Sequence, residues 1–221
     1  MNPLLRRLAR LFLILALPAT LAACGINTLP TQEEQAKAKF ADLQSDYQRR
    51  ADLIPNLVST VQGYAAQERA VLTEVTEARA SATQVKLDAS SLNDPAALQR
   101  FQEAQDRLSQ GLGRLLAVSE NYPDLKSNQN FLVLQSQLEG TENRINVSRR
   151  DYNEAVRVYN TSLRTFPIAL WAATFQRNQK PMSLFQAAAT AQNAPSVNFN
   201  IAPPGGATTT TTTTSNATTT R

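Results

Sequence analysis

Four charged side chains stand in or beside positions where the surrounding pattern calls for apolar ones. Glu142 and Arg149 fall in the apolar phase of residues 128–167, Glu68 does so in an earlier stretch, and Arg79 lies one step off that earlier stripe. Two carboxylates facing each other across a cleft would suffice for glycoside chemistry, one as acid and one as base or nucleophile. A lone buried charge is costly, so each of the four must find a counter-ion or reach water. Opposite charges on facing helices do the former and fix helix register at the same time. Glu68, Arg79, Glu142 and Arg149 are therefore read first as a structural polar network, and only second as the seat of a hydrolase. Asn153 and Asn160, seven residues apart on one helical face, are read as register-setting amides.

The absences narrow the chemistry further. The chain has no histidine, and its single cysteine is Cys24. That excludes a Cys/His zinc site, a Ser-His-Asp triad, a thiol nucleophile in the folded part and an internal disulfide. No cofactor or metal site is expected, and no catalytic residue is assigned. The balance of evidence in the residues is against an enzyme.

The elements that must position these groups are helices. Phe131, Leu134, Leu138, Ile145, Tyr152, Val156, Tyr159, Leu163 and Phe166 recur at steps of 3 and 4 or their sums, one face of a long helix. Phe40, Leu43, Tyr47, Ile54, Leu57, Val61, Tyr64, Val75, Ala78 and Ala82 continue the same period over residues 33–85. Pro55 lies inside that run, and Ile54 before it would be a poor N-cap, so a kink within one helix is expected. Residues 88–94 read as a loop, and Asp94-Pro95 as N-cap and N1 of a second helix carrying Leu98, Phe101, Leu108, Leu112, Leu115 and Tyr122. Ser127 or Asn128 caps the third. Beyond Pro167, residues 168–175 and 182–191 read as shorter helical pieces. Tyr47, Tyr64, Tyr152 and Tyr159 form an aromatic stripe read as core, and Trp171 is a candidate for a membrane interface.

This pattern predicts an all-α fold, an antiparallel up-and-down bundle of three long helices with a shorter fourth at the C-terminus. Its body spans residues 33–192. A tail over 193–221, nearly pure threonine from Thr208, has no period and little to bury, and is expected to be disordered. With short turns, the first and third helices would run parallel, bringing Arg79 to Glu142. The second helix is too short to cover residues 33–57, so that segment is expected to self-associate or, folding back at Pro55, to pack on the bundle, with self-association favoured.

The amino terminus has a basic n-region, an apolar run over residues 11–17 and small residues before Cys24. Leu21-Ala22-Ala23-Cys24 resembles the lipobox of bacterial lipoproteins. The resemblance implies a signal peptide over 1–23, diacylglyceryl attachment at Cys24, and a tether over 24–32. Gly25, rather than Asp, after the cysteine favours outer-membrane sorting in a Gram-negative host. Of the 22 basic residues, Arg6, Arg7 and Arg10 precede Cys24, which leaves 19 against 18 acidic ones. That near-balance is no nucleic-acid footprint.

Several stretches together resemble the LemA family. They are YQRRADLIPNLV at 47–58, Ala78-Arg79, Glu120-Asn121-Tyr122-Pro123, QLEGTEN at 137–143, and Tyr152-Asn153 through Tyr159-Asn160 to Phe166-Pro167. The resemblance implies a membrane-anchored helical bundle outside the cytosol, and brings no catalytic residues with it. The family's commoner anchor is a transmembrane helix, from which the lipobox departs. The expected role is a non-enzymatic interaction or scaffold module of the cell envelope, held by lipid and facing the periplasm or exterior. The alternatives are an envelope hydrolase using paired carboxylates and a membrane-active bundle. Against the last, no stripe is apolar all round.

Overall fold

The computed structural model describes residues 27–174 and 176–186, apart from the Trp171 side chain. The apolar amino terminus, Cys24 and the threonine-rich end lie outside the described residues, as does the expected membrane-interface role of the Trp171 ring. The helices are α1 (Thr28–Tyr64), α2 (Arg69–Gln84), α3 (Pro95–Ser119), the single turn α4 (Pro123–Lys126), α5 (Gln129–Ser162) and α6 (Ile168–Thr174). Among the described residues there is no strand.

Side-chain pairings give the directions. Lys39–Asp151, Asp46–Ser148 and Arg50–Glu142 climb along α1 while descending α5, so the two longest helices are antiparallel. Gln44–Leu87 and Ala51–Arg79 do the same for α1 and the α2 arm, and Glu74–Arg114 and Ala82–Gln105 for α2 and α3. The result is an up-down-up-down bundle of α1, α2, α3 and α5.

The all-α antiparallel bundle is the expected one, but its division into helices differs. The run over 33–85 is two helices folded back on each other. Pro55 lies inside α1, which continues through it, and the chain reverses at residues 65–68 instead. Gly63 weakens the last turn of α1, and the polar run Gln67-Glu68-Arg69 offers nothing to bury at the corner. Backbone bonds from Ala65 to Val61 and from Glu68 to Ala65 close the turn. The apolar period survives the reversal because both arms bury the same face. The fourth long helix therefore comes from the middle of the chain, and the first and last long helices cannot run parallel. Helix α1 also begins earlier than the expected tether allows, because Leu29 is buried in the core.

The caps follow the reading. Asp94 accepts from the Ala96 N–H at 2.9 Å, and Asn128 from the Phe131 N–H at 3.1 Å. On α5, Phe131, Leu138, Ile145, Tyr152 and Tyr159 repeat every seven residues and are all buried. Phe166 drops out of this stripe and is 85% exposed, because α5 ends at Ser162 and the phase is lost before Pro167. Tyr64 also leaves the expected core. It is largely exposed, and its hydroxyl accepts from the Asn128 amide at 2.8 Å.

Of the second expected C-terminal piece, residues 182–186 are described and are not helical; the remainder lies outside the described residues. Residues 181–186 have no regular secondary structure and lie as a strap along the bundle, with Met182 and Phe185 buried among Phe40, Phe101 and Tyr152. Phe40, Leu43 and Tyr47 are thus covered by the chain's own α3, α5 and strap. The apolar face on which self-association through 33–57 rested is occupied internally.

Candidate functional site

The interior divides into two apolar clusters. One holds Phe40, Leu43, Tyr47, Phe101, Ile145, Tyr152 and the strap; the other holds Ile54, Leu57, Val75, Leu108, Leu115, Phe131 and Leu138. Between them, on α1, stands Arg50, with 2% of its surface exposed. Its Nη1 donates to Glu142 Oε2 on α5 at 2.9 Å and to Ser109 Oγ on α3 at 2.8 Å. Its Nη2 donates to Gln105 Oε1 at 2.8 Å and, less closely, to the Gln105 carbonyl. Gln105 in turn donates through Nε2 to the Ala82 carbonyl on α2 at 3.2 Å. One buried guanidinium therefore joins all four long helices. The Tyr47 ring lies 5.3 Å from its centre and adds a cation–π face.

Arg149 extends the layer toward the strap. Its Nη2 donates to the Tyr47 hydroxyl at 2.9 Å, and its guanidinium sits 5.7 Å from the Phe185 ring centre. Burial works against its charge, but Tyr47, Asp106 and Glu142 outweigh that and hold its pKa above the usual value. Burial raises the pKa of the Asp106 carboxyl, with Glu142 and Glu103 adding to the effect and Arg149 and Arg50 opposing it. Burial likewise pushes the Tyr47 phenol up.

The four residues singled out from the sequence are thus placed separately. Glu142 and Arg149 belong to this layer. Arg79 does not meet Glu142; its Nε donates to the Ala51 carbonyl at 2.7 Å. That carbonyl is the one a residue at position 55 would normally bond, and Pro55 has no N–H to offer. Arg79 therefore supplies the donor that Pro55 removes. Glu68 stands at the far end of the bundle and accepts from the Tyr122 hydroxyl at 2.8 Å, a bond that raises the Tyr122 pKa.

Asn153 and Asn160 serve the strap. Asn160 donates to the Met182 carbonyl at 2.8 Å and accepts from the Met182 N–H at 2.9 Å. Asn153 does the same for Phe185, at 3.0 and 2.9 Å. Two turns of helix separate the amides, and three residues of strap separate their targets. The Tyr152 hydroxyl donates to the Ser183 carbonyl at 2.9 Å, the Tyr159 hydroxyl to Gln179 Oε1 at 2.6 Å, and the Ser183 N–H to the Leu92 carbonyl at 2.8 Å. An extended segment is held here through its backbone, as a neighbouring strand would hold it.

Arg50 and Gln105 are the residues that sequence reasoning missed as site members. Their signal lies in the spacing: Arg50 falls between Tyr47 and Ile54, and Gln105 between Phe101 and Leu108, each at a step of the apolar period. Asp106 and Glu142 are two carboxylates of this layer whose charges act on each other. A groove of ≈ 530 Å³ opens between α1 and the end of α2, lined by Gln44, Tyr47, Gln48, Lys86, Phe101 and Gln105 among others, and neither carboxylate lines it. Among the described residues no cluster of His, Cys, Asp or Glu could hold a metal ion, and no helix is long and apolar enough to cross a membrane.

Comparison with known proteins places this arrangement. Magnetosome protein MamQ 2 of Paramagnetospirillum magneticum is 27% identical over 157 residues, 64% of this chain and 58% of that protein. Magnetosome protein MamQ of Magnetospirillum gryphiswaldense is 25% identical over the same shares. Protein LemA of Metamycoplasma hominis is 23% identical over 140 residues, 63% of this chain and 60% of that one. The chain thus spans less than two thirds of the length of the curated relatives it matches. The pattern of the LemA family itself matches residues 39–199, from the first buried aromatics of α1 through the strap and beyond. The chain belongs to the LemA family.

Proposed function

We propose that this protein is a membrane-anchored interaction module of the cell envelope, held by lipid on Cys24 and working without catalysis. One observation carries the reading: the groups able to do chemistry are already spent on holding the chain together. Glu142 is bound to Arg50, Arg149 to Tyr47, and both asparagine amides to the strap. The amino-terminal pattern ending in Leu21-Ala22-Ala23-Cys24 supports the anchor, and the magnetosome and LemA relatives are consistent with a membrane-associated setting.

Two measurements test it. Expressed in a bacterium, the protein should incorporate labelled palmitate and begin at a modified Cys24. Cys24→Ala should abolish both and leave a slower-migrating precursor. A purified membrane form that keeps residues 1–23 and a maleimide-reactive thiol would sink the lipid anchor. For the module itself, a photo-crosslinker at exposed Val147 or Val158 on α5 should give discrete adducts in intact cells. Diffuse labelling no stronger than that of an unrelated lipoprotein would count against it.

A further inference from the structure

The end of the bundle where α1 begins is unlike the rest of its surface. Because α1 and α5 are antiparallel, the turn after α5 and helix α6 lie beside the first residues of α1. Leu29 shares a core cluster with flanking Leu163, Ile168 and Ala172, and the Glu33 carboxylate is hydrogen-bonded by the Gln179 side chain. Over residues 163–181 the chain carries Arg164, Arg177 and Lys180 and no acidic residue. All three are exposed. The nearest carboxylates on α1, Glu33 and Glu34, are both paired to Lys37. The same segment carries the two most exposed large apolar side chains of the described residues, Phe166 at 85% and Leu170 at 58%. Exposed aromatic and aliphatic side chains interleaved with cations, on a segment that itself carries no acidic residue, match the boundary between headgroups and acyl chains.

We infer that residues 163–170 and 176–181, with Phe166 and Leu170 as inserting side chains and Arg164, Arg177 and Lys180 as headgroup contacts, dock this end of the bundle on an anionic lipid bilayer. The position of the chain's own amino terminus selects that occupant over a protein. Asn27, the first described residue, is at this end, and Cys24 is three residues away. Three residues span at most about 10 Å, so a lipid on Cys24 keeps this end at the surface it would enter. The inference rests to that extent on the anchoring reading, and goes beyond it by fixing the orientation: α1 and α5 stand out from the membrane, with the α1–α2 and α3–α5 corners farthest away. A lipid tether alone leaves the bundle free to tumble, whereas a second contact does not.

Trp171 in α6 is the only tryptophan of the chain and serves as the probe. The full-length lipidated protein is reconstituted in phosphatidylcholine vesicles with and without phosphatidylglycerol, using brominated acyl chains as quencher. In anionic vesicles Trp171 fluorescence should be quenched. Arg164→Gln, Arg177→Gln and Lys180→Gln together should lower the ratio of docked to free bundle about fivefold per charge. Phe166→Asp with Leu170→Asp should release the bundle outright. All five positions are exposed, so an unchanged unfolding midpoint should confirm that each variant is folded. Every variant should still sediment with the vesicles, since sedimentation reads the anchor and quenching reads the docking. Wild-type protein that sediments but is not quenched overturns the docking alone, as does quenching that none of the substitutions changes. Protein that neither sediments nor is quenched overturns both docking and anchor.

Discussion

At the scale of single residues, the Arg50–Glu142 pair is lopsided. Arg50 is 2% exposed, whereas the Glu142 side chain keeps 45% of its surface in water. Removing one partner of a buried pair is expensive mainly because it strands the other charge away from solvent. Glu142→Gln strands Arg50, and should cost about 3 kcal/mol. Arg50→Met strands a carboxylate that already reaches water and frees two neutral partners, and should cost nearer 1–2 kcal/mol. Urea unfolding of both variants checks the order, and a larger loss for Arg50→Met would contradict the burial argument. The sequence marks Glu142 as misplaced because it interrupts an apolar stripe. It hides the counter-ion, because Arg50 sits in a run of polar residues, Gln48-Arg49-Arg50, where an inward arginine looks like its outward neighbours. Nothing local to the sequence separates the two arginines; only the period of the helix does.

Among the elements, the most legible features are those written in nearest-neighbour chemistry. The Asp94 and Asn128 caps and the apolar faces need only a few adjacent residues to specify them. The α1–α2 reversal is less legible because both arms face the same core, so the apolar period runs on across the corner and disguises it. Pro55 draws attention as the natural break, yet it is accommodated by a partner from the other arm. With Arg79 donating to the Ala51 carbonyl, Pro55 and Arg79 should be energetically coupled. Arg79→Met alone leaves a buried carbonyl without a donor and should cost about 1–3 kcal/mol. In a Pro55→Ala background the backbone N–H restored at that position can bond the carbonyl, so the same change should cost markedly less. Additive losses in the four-member cycle would mean that Arg79 acts through something else. The strap is illegible for a related reason: Met182 and Phe185 suit a helix as well as an extended segment, and its backbone partners are distant in the chain, most of them on α5 and one at Leu92. Burial raises the Tyr159 phenol from 10.0 to about 12. The folded state therefore holds that proton more tightly than the unfolded chain does. The resulting stability is complete below pH 10 and is lost as pH rises toward about 12. The stability difference between wild type and Tyr159→Phe should shrink across that window and stay flat below it; a difference that grows there would reverse the assignment.

For the molecule as a whole, the question is whether two apolar clusters make one folding unit or two. A polar layer at Arg50, Gln105 and Glu142 separates them, and a layer that were merely solvated would let each cluster open alone. Two features argue against that. Helices α1 and α5, of 37 and 34 residues, run unbroken through both clusters, so neither can unfold without fraying an element of the other. The layer itself is bonded across all four long helices, and opening either side would expose the Arg50 partners on α3 and α5. Leu115 is fully buried in the cluster away from the strap, and Leu115→Ala should cost about 2–5 kcal/mol. If the clusters are coupled, amide exchange near Leu43 and Tyr152, in the other cluster, should accelerate by the same factor as exchange near Leu57 and Leu108. Each 1.4 kcal/mol lost corresponds to about tenfold in that factor. In the double variant Leu115→Ala with Glu142→Gln, the bond across the layer is gone and only the two long helices remain as couplers. Equal acceleration in both clusters even then would assign the coupling to α1 and α5. Acceleration confined to the Leu57 side in the single variant would show two independent units and refute the role given to Arg50.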